Sequence, residues 1–243
     1  TFRLTSNLQG LEVRLPDIGW IKNQSALASL EVLGNINDGL QYDKFIISGE
    51  DLEVNVTVND NKTFVVERLL RGDILDVSGV VSKDGLKITG GEFNIANYLK
   101  VIEPNPERNA GIPVAVDLDR IHITDSLYID NFSTNFFSDR INGQFNGLFM
   151  GFDPISGSFT SKSGISSVEI QSKDAGEFLQ LAGLIKKGAE GSLNLSINRK
   201  NKNIEGRLLA KDLKIYDLPA LAKLLQALSI IGLLEQMLGQ GLF

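Results

Sequence analysis

The chain reads as a mainly β protein, an extended antiparallel sheet carrying one short helix and one longer apolar C-terminal helix. Three observations predict this. Apolar and polar residues alternate with period two over long stretches, turn residues break the alternation at short intervals, and helical spacing occurs in only two places.

The first strand signal is Leu52, Val54, Val56 and Val58 alternating with Glu53, Asn55, Thr57 and Asn59, followed by a turn at Asp60-Asn61-Lys62. A tight hairpin is expected at Lys83-Asp84-Gly85, where Asp-Gly can supply positive φ, and Leu86-Lys87-Ile88 resumes the alternation. Leu193, Leu195 and Ile197 alternate with Asn194, Ser196 and Asn198. The polar run Lys200-Asn201-Lys202-Asn203 ends that segment, with a return strand from Ile204.

A short unit of β-branched residue, polar residue and glycine recurs beside these strands. It stands at Ile47-Ser48-Gly49, Val77-Ser78-Gly79, Ile88-Thr89-Gly90, Ile141-Asn142-Gly143, Ile155-Ser156-Gly157 and Ile204-Glu205-Gly206. Its spacing is irregular, so it is a weak repeat. A strand glycine permits a bulge, a bend or close backbone approach, and repeated use lets a long sheet curl; a glycine that merely ends a strand is the plainer alternative.

Residues 101–113 hold three of the six prolines and lack periodicity, the pattern of a linker. They divide a first β unit, 1–100, from a second, 114–243, read as two repeats of one architecture because strand pairing can continue across the break. The short helix is expected over 174–187, with Asp174 as N-cap, Phe178, Leu181, Ala182 and Ile185 at helical spacing, and Gly188 as the stop. The longer one is expected over 217–238, with Pro219 in its first turn and Leu221, Leu224, Leu225, Leu228, Ile231, Leu234 and Leu238 as its apolar positions. Its charge-free core is shorter than the roughly 20 apolar residues a bilayer span needs. A buried or capping helix is preferred over a membrane-surface one because the polar face is small.

Composition narrows the functions. A chain of 243 residues with 42% hydrophobic content can bury a substantial core, and its near-zero mean hydropathy separates it from disordered chains. A net charge of -6 with scattered Lys and Arg disfavours nucleic acid as a partner. There is no cysteine and one histidine, His122, so no metal site and no cofactor are expected. His122 between Ile121 and Ile123 reads as a surface histidine, and Asp117 and Asp119 as solvated strand carboxylates rather than a cation site. The glycines from Gly143 to Gly157 lack the Gly-Lys-Ser/Thr ending of a phosphate loop. Seven phenylalanines between Phe132 and Phe159 read first as core packing, with lipid contact as the alternative. Asn55-Val56-Thr57 and Asn131-Phe132-Ser133 match glycosylation acceptors, a triplet common by chance. No nucleophile–base pair is found, so no catalytic residue is assigned and the chain is not expected to be an enzyme. The start, Thr1-Phe2-Arg3-Leu4, has neither Met nor the pattern of a signal peptide, and apolar character runs to Phe243. The chain is therefore expected to be a piece of a longer protein.

Several segments resemble the AsmA-like envelope family, in its YhdP/TamB branch. Asp174-Ala175-Gly176 with Phe178-Leu179 and Gly183-Leu184 looks like the family's C-terminal helix start. Glu190-Gly191-Ser192-Leu193 stands where the family has Gly-Gly-x-Leu. Asp212-Leu213-Lys214-Ile215 followed by Leu218-Pro219 and the leucine run is similar to its strand, aspartate, proline and helix signature. Leu15-Pro16-Asp17-Ile18-Gly19-Trp20-Ile21-Lys22 resembles its P-x-x-G-W-x-K stretch, and Leu70 to Gly79 its following strands.

The resemblance implies a periplasmic region of an inner-membrane-anchored protein in a Gram-negative envelope. In it, a curled antiparallel sheet forms a β-groove that carries phospholipid acyl chains between inner and outer membranes. Phospholipid is then the expected partner, with other envelope proteins as further candidates and membrane contact made through regions outside this chain. Leu52, Val54, Val56, Val58, Leu193, Leu195 and Ile197 become the lipid-facing candidates. The energetics fit: a two-chain lipid in water exposes on the order of 30 methylenes at roughly 0.8 kcal/mol each, so its path must stay apolar throughout. The same alternation equally predicts the core of a closed sandwich, although few helices are available to cover so large a sheet. A structural or assembly scaffold that docks envelope proteins through sheet edges or the terminal helix is the alternative function.

Overall fold

The computed structural model describes residues 1–36, 39–59, 62–101, 111–162, 165–200 and 203–217. β1 (Phe2–Ser6) precedes a small hairpin, β2 (Val13–Leu15) and β3 (Trp20–Lys22), with a 3-10 turn at Pro16–Ile18 between them. A meander follows: β4 (Ala28–Asn35), β5 (Gln41–Gly49), β6 (Leu52–Asn59), β7 (Thr63–Arg71), β8 (Leu75–Ser82) and β9 (Gly85–Asn94). Then come α1 (Ile95–Val101) and a second meander, β10 (Pro113–His122), β11 (Tyr128–Phe137), β12 (Arg140–Phe149), β13 (Asp153–Lys162) and β14 (Ile165–Ser172). The chain continues through α2 (Ala175–Leu181), β15 (Lys187–Ala189), β16 (Ser192–Lys200), β17 (Asn203–Lys211) and β18 (Lys214–Asp217).

Fourteen of these strands form one sheet, in the order β1, β4 through β14, β16, β17. β2 with β3 and β15 with β18 make two small separate ladders. Every pair in the large sheet is antiparallel except β9 with β10, which run parallel with Ile88 opposite Val116. Parallel neighbours need a crossover, and α1 begins it, with Asn94 Oδ1 accepting from the Asn97 N–H at 3.0 Å. Strand pairing therefore passes directly from the first β unit to the second; residues 102–110 of the linker lie outside the described residues.

The expected strands over 52–58 and 193–197 are β6 and β16. The hairpin at Lys83-Asp84 pairs Ser82 with Gly85, and the positive φ falls on Gly85 alone, at 133°. The turn is thus not the two-residue primed type that Asp-Gly predicts. Asp60 and Asn61 lie outside the described residues. So does the longer helix beyond Asp217, with Leu221, Leu224, Leu225, Leu228, Ile231, Leu234 and Leu238.

The short helix is a correction. Asp174 does cap it, accepting from the Glu177 N–H at 2.9 Å, but α2 ends at Leu181 rather than near Lys187. Gly183 turns left-handed at φ 72°, and the N–H groups of Leu184 and Ile185 both fold back onto the Leu179 carbonyl. Gly188, read as the stop, lies instead in β15 against Gly176; a Cβ on Gly176 would overlap the backbone of Ala189. Two glycines let helix and strand touch.

Irregular register keeps one face of the sheet apolar. Along β7 the apolar-face residues step from Val66 to Leu69, along β10 from Leu118 to Ile121 and along β11 from Ile129 to Phe132, three positions rather than two. Register shifts between β6 and β7, β7 and β8, β8 and β9, and β11 and β12 fall near one line across the sheet. Each bulge adds a residue and a local bend, so the line is a crease in the strands.

Several strand glycines are seats for rings. Gly157 faces Phe145 and Gly143 faces Phe159 on neighbouring strands, and a Cβ at either would overlap that ring. Gly49 lies under Trp20 in the same way. The large side chain covers the bare backbone of its partner, which lets bulky groups lie flat on the sheet.

Candidate functional site

One register line crosses the whole large sheet. Residues directly opposite each other in a ladder point to the same side, so the line can be followed strand by strand. From β1 to β7 it runs Leu4, Val32, Phe45, Val56 and Val66. From β8 to β12 it runs Gly79, Ile88, Val116, Thr134 and Phe145. Gly157, Ile170, Leu195 and Leu208 complete it on β13 to β17. Thr134 is its single polar side chain, and that hydroxyl donates to the Gln144 carbonyl at 2.8 Å. With strands about 4.8 Å apart, fourteen of them carry this apolar line on the order of 60 Å.

Among the described residues, two protein covers rest on the face. At the N-terminal end, β2, β3 and their connection place Trp20, 4% exposed, over Leu52 and Ala28, with Val13, Leu15 and Ile18 packed around them. The indole Nε1 donates to Asp51 Oδ1 at 3.1 Å, and Asp51 also pairs with Arg71. Lys22 is buried, its Nζ donating to the carbonyls of Leu11 and Asn23 at 3.0 and 3.1 Å. Gly19 closes the 3-10 turn at φ 62°. Proline, glycine, tryptophan and lysine of the P-x-x-G-W-x-K stretch thus build one plug. At the other end α2 lays Phe178 flat on Phe149, ring centroids 4.4 Å apart, with Leu179, Leu184 and Ile185 in the same cluster as Leu193, Leu195 and Ile197.

The lipid-facing candidates divide accordingly. Leu52 belongs to the Trp20 plug, and Leu193, Leu195 and Ile197 are buried in the α2 cluster. Val54, Val56 and Val58 are half-buried, Val54 packing against the Trp20 plug. They join a stretch on β6 to β9 where Val66, Val77, Leu86 and Ile88 are also half-buried, and Phe64 and Val81 are exposed at 40% and 37%. This stretch between the two covers is one accessible part of the face; the ends of the line, Leu4 and Leu208, are exposed as well, at 53% and 41%. Phe145 and Phe149 are core, as the phenylalanine cluster predicts, whereas Phe152 is 68% exposed.

The opposite face is polar and laced with ion pairs. Arg68 grips Asp76 through Nε and Nη2 at 3.0 and 2.9 Å and reaches Glu53 at 3.0 Å. Arg120 binds Asp130 and lies 4.0 Å over the Tyr128 ring. His122 sits on this face, 3.1 Å from Glu92, and Asp119 accepts from the Gly91 N–H at a bulge. Neither Asp117 nor Asp119 belongs to a metal-binding cluster among the described residues. A cleft of about 610 Å³ between β8 and β12 is lined by Val80, Lys87, Ala115 and Phe137 and also by Leu86 and Val114 of the apolar face.

Arg68 holds the Asp76 carboxyl below the ordinary range, and the Thr57 hydroxyl, with Lys44, does the same for Glu67. Stability from a lowered carboxyl is complete above its ordinary pKa and fades as pH falls through the lowered value. Urea midpoints are therefore expected to drop in acid, and Asp76→Asn should lower the midpoint at neutral pH while narrowing its gap from wild type at low pH. A gap that does not change with pH would contradict this.

Comparison with known proteins finds no matching family model, no similar curated protein and no similar solved structure. What the fold and site define is a class by architecture: a mainly β protein with one fourteen-stranded, mostly antiparallel sheet, apolar on one face.

Proposed function

We propose that this chain is a β-groove for phospholipid acyl chains, a periplasmic segment of an AsmA-like bridge between the inner and outer membranes of a Gram-negative envelope. The single observation that carries the reading is the unbroken apolar line over fourteen strands, polar at one hydroxyl only. In this reading the sheet curls about that line. Val116 on the line and Leu118 and Ile155 beside it on the same face are buried, while no second sheet of comparable size faces them among the described residues. A curl along the bulge line supplies such cover, and acyl chains occupy the half-buried stretch on β6 to β9. The reading assigns no catalysis. It rests also on the resemblance of the Trp20 and Asp174 segments to that family.

Phospholipid extracted from the purified protein and identified by mass spectrometry tests it. Val56→Asp with Val66→Asp places two charges on the apolar line, at half-buried positions whose loss the fold should tolerate. Bound phospholipid is expected to fall at least about tenfold, because a buried unpaired charge costs more than the 1.4 kcal/mol that a factor of ten represents. Thr57→Asp, on the polar face, is the control. Wild-type protein that carries no phospholipid, or a variant that carries as much as wild type, would overturn the reading.

A second reading, a scaffold for envelope assembly, has its own observation. β17 ends the sheet, and Leu208 and Leu209 are 41% and 52% exposed on its two faces. Among the described residues no strand pairs with the outer side of β17, and such an edge can add a partner's strand. Under this reading Gly206→Pro abolishes function and the paired aspartates do not.

A further inference from the structure

Asp153 opens β13 on the apolar side of the sheet, directly opposite Phe149, and is 1% exposed. Its Oδ2 has no hydrogen-bond partner. Phe149 is the residue on which α2 lays Phe178, so the carboxyl lies beside the contact that seats the helix. The charged groups that act on it are Glu177, in the first turn of α2, and Asp174, its cap; Ser172 of β14 contributes a hydroxyl. Among the described residues these neighbours are acidic or uncharged, so no cation balances an ionised Asp153 and the Ser172 hydroxyl is what stabilises it.

An unpaired carboxylate of this kind is tolerated in a core when it is neutral and expelled toward water when it is charged. The nearest element whose departure would admit water is α2. It is a seven-residue helix held by one side-chain cap, by the Phe178 and Leu179 contacts, by a glycine-to-glycine approach to β15 and by three hydrogen bonds: the N–H groups of Ala175 and Gly176 donate to the Gly191 and Glu190 carbonyls, and Gln180 Oε1 accepts from the Gly188 N–H. No long ladder of hydrogen bonds ties it to the sheet, whereas β16 beneath it pairs along nine residues with β17 and eight with β14.

We propose that α2 is a proton-dependent cover of the apolar face, seated while Asp153 is protonated and lifted when Asp153 ionises. Lifting it would uncover Phe149 and lengthen the accessible stretch toward the start of β16. This deepens the acyl-chain reading by naming what regulates access to the same face. Burial pushes the Asp153 carboxyl above the ordinary range, the Ser172 hydroxyl opposes that push, and the charges of Glu177 and Asp174 add to it. The sign follows. A group whose folded pKa is raised stabilises the seated state fully below the ordinary carboxylate value, and that contribution is lost as pH rises through the raised value.

Hydrogen exchange read by mass spectrometry on the lipid-free protein tests it, with rates corrected for the intrinsic pH dependence of amide exchange. From about pH 4 to about pH 8, protection of the α2 amides is expected to fall about tenfold for each unit by which burial raises Asp153. The β16 amides should hold theirs. Asp153→Asn should give α2 protection that does not change with pH. Glu177→Gln, which leaves the buried carboxyl in place and removes one neighbouring charge, should show a shallower slope than wild type. The proposal is overturned if α2 protection in wild type is flat, if it follows β16 at every pH, or if the Asn variant keeps the wild-type slope. Because no lipid enters the measurement, any of these results leaves the phospholipid reading to stand or fall on extraction.

Discussion

Trp20→Ala is expected to lower unfolding stability by about 3–5 kcal/mol, the range for truncating a large aromatic side chain in a core. The magnitude follows from where the ring sits. At 4% exposure it fills the space over Leu52 and Ala28, and it lies on Gly49, which has no side chain to close the gap. Removal leaves a cavity that Leu8, Val13, Leu15 and Ile18 can only partly collapse into, because the 3-10 turn that positions them is tied elsewhere. The Tyr98 hydroxyl donates to the Asp17 carbonyl at 3.1 Å, and Val101 of α1 packs on Gly19. Trp20→Phe separates ring from hydrogen bond: it keeps most of the packing, loses the bond to Asp51 and should cost about 0.5–1.5 kcal/mol. Urea unfolding followed by circular dichroism measures both, since Trp20 is the only tryptophan and its fluorescence disappears with it. A loss below about 1 kcal/mol for the alanine variant would show that the segment rests on the sheet without being packed into it.

The plug also shows how far the sequence could be read. Alternation located β6 and β16 because both are regular strands with one wet face, and in these two the period of two survives end to end. It could not follow the apolar face through β7, β10 and β11. There a bulge turns the spacing from two to three between Val66 and Leu69, Leu118 and Ile121, and Ile129 and Phe132, and a three-residue step reads as helical or as noise. The parallel junction of β9 and β10 was equally invisible, since Pro-rich residues mark a break but say nothing of the direction in which the chain returns. For the helix near residue 175 the cap was legible and the end was not. Asp174 is a local signal, whereas the stop depends on Gly183 turning left-handed and on β15 meeting α2 through Gly176 and Gly188. Leu193, Leu195 and Ile197 share a buried cluster with Phe178 and Leu179 of α2, and a pattern of alternation names a face without naming its cover.

Gly157→Val should destabilise the sheet by about 1–3 kcal/mol or more, the cost of forcing extra methyl groups into a packed site, despite the high strand propensity of valine. Propensity alone predicts the reverse, which makes the position diagnostic. A Cβ on Gly157 would overlap both the Phe145 ring and the Glu169 carbonyl oxygen. The ring can swing only toward Phe132 or Phe159, which already stack on it at 5.7 and 6.5 Å between centroids. The carbonyl belongs to the ladder with β14 and cannot withdraw without breaking it. Ser156→Val, one residue away on the polar face, has no ring to displace and should change stability by no more than about 0.5 kcal/mol, the usual range for a surface position. Phe145→Leu in the Gly157→Val background shortens the clashing side chain and should recover part of the loss, whereas in wild type the same change only removes packing. That reversal of sign, read as a coupling energy in a double-mutant cycle, is what distinguishes a glycine serving as the seat of a ring from a glycine that merely bends a strand. If the double variant is no more stable than Gly157→Val alone, the backbone contact with Glu169 is the governing clash and the ring is incidental.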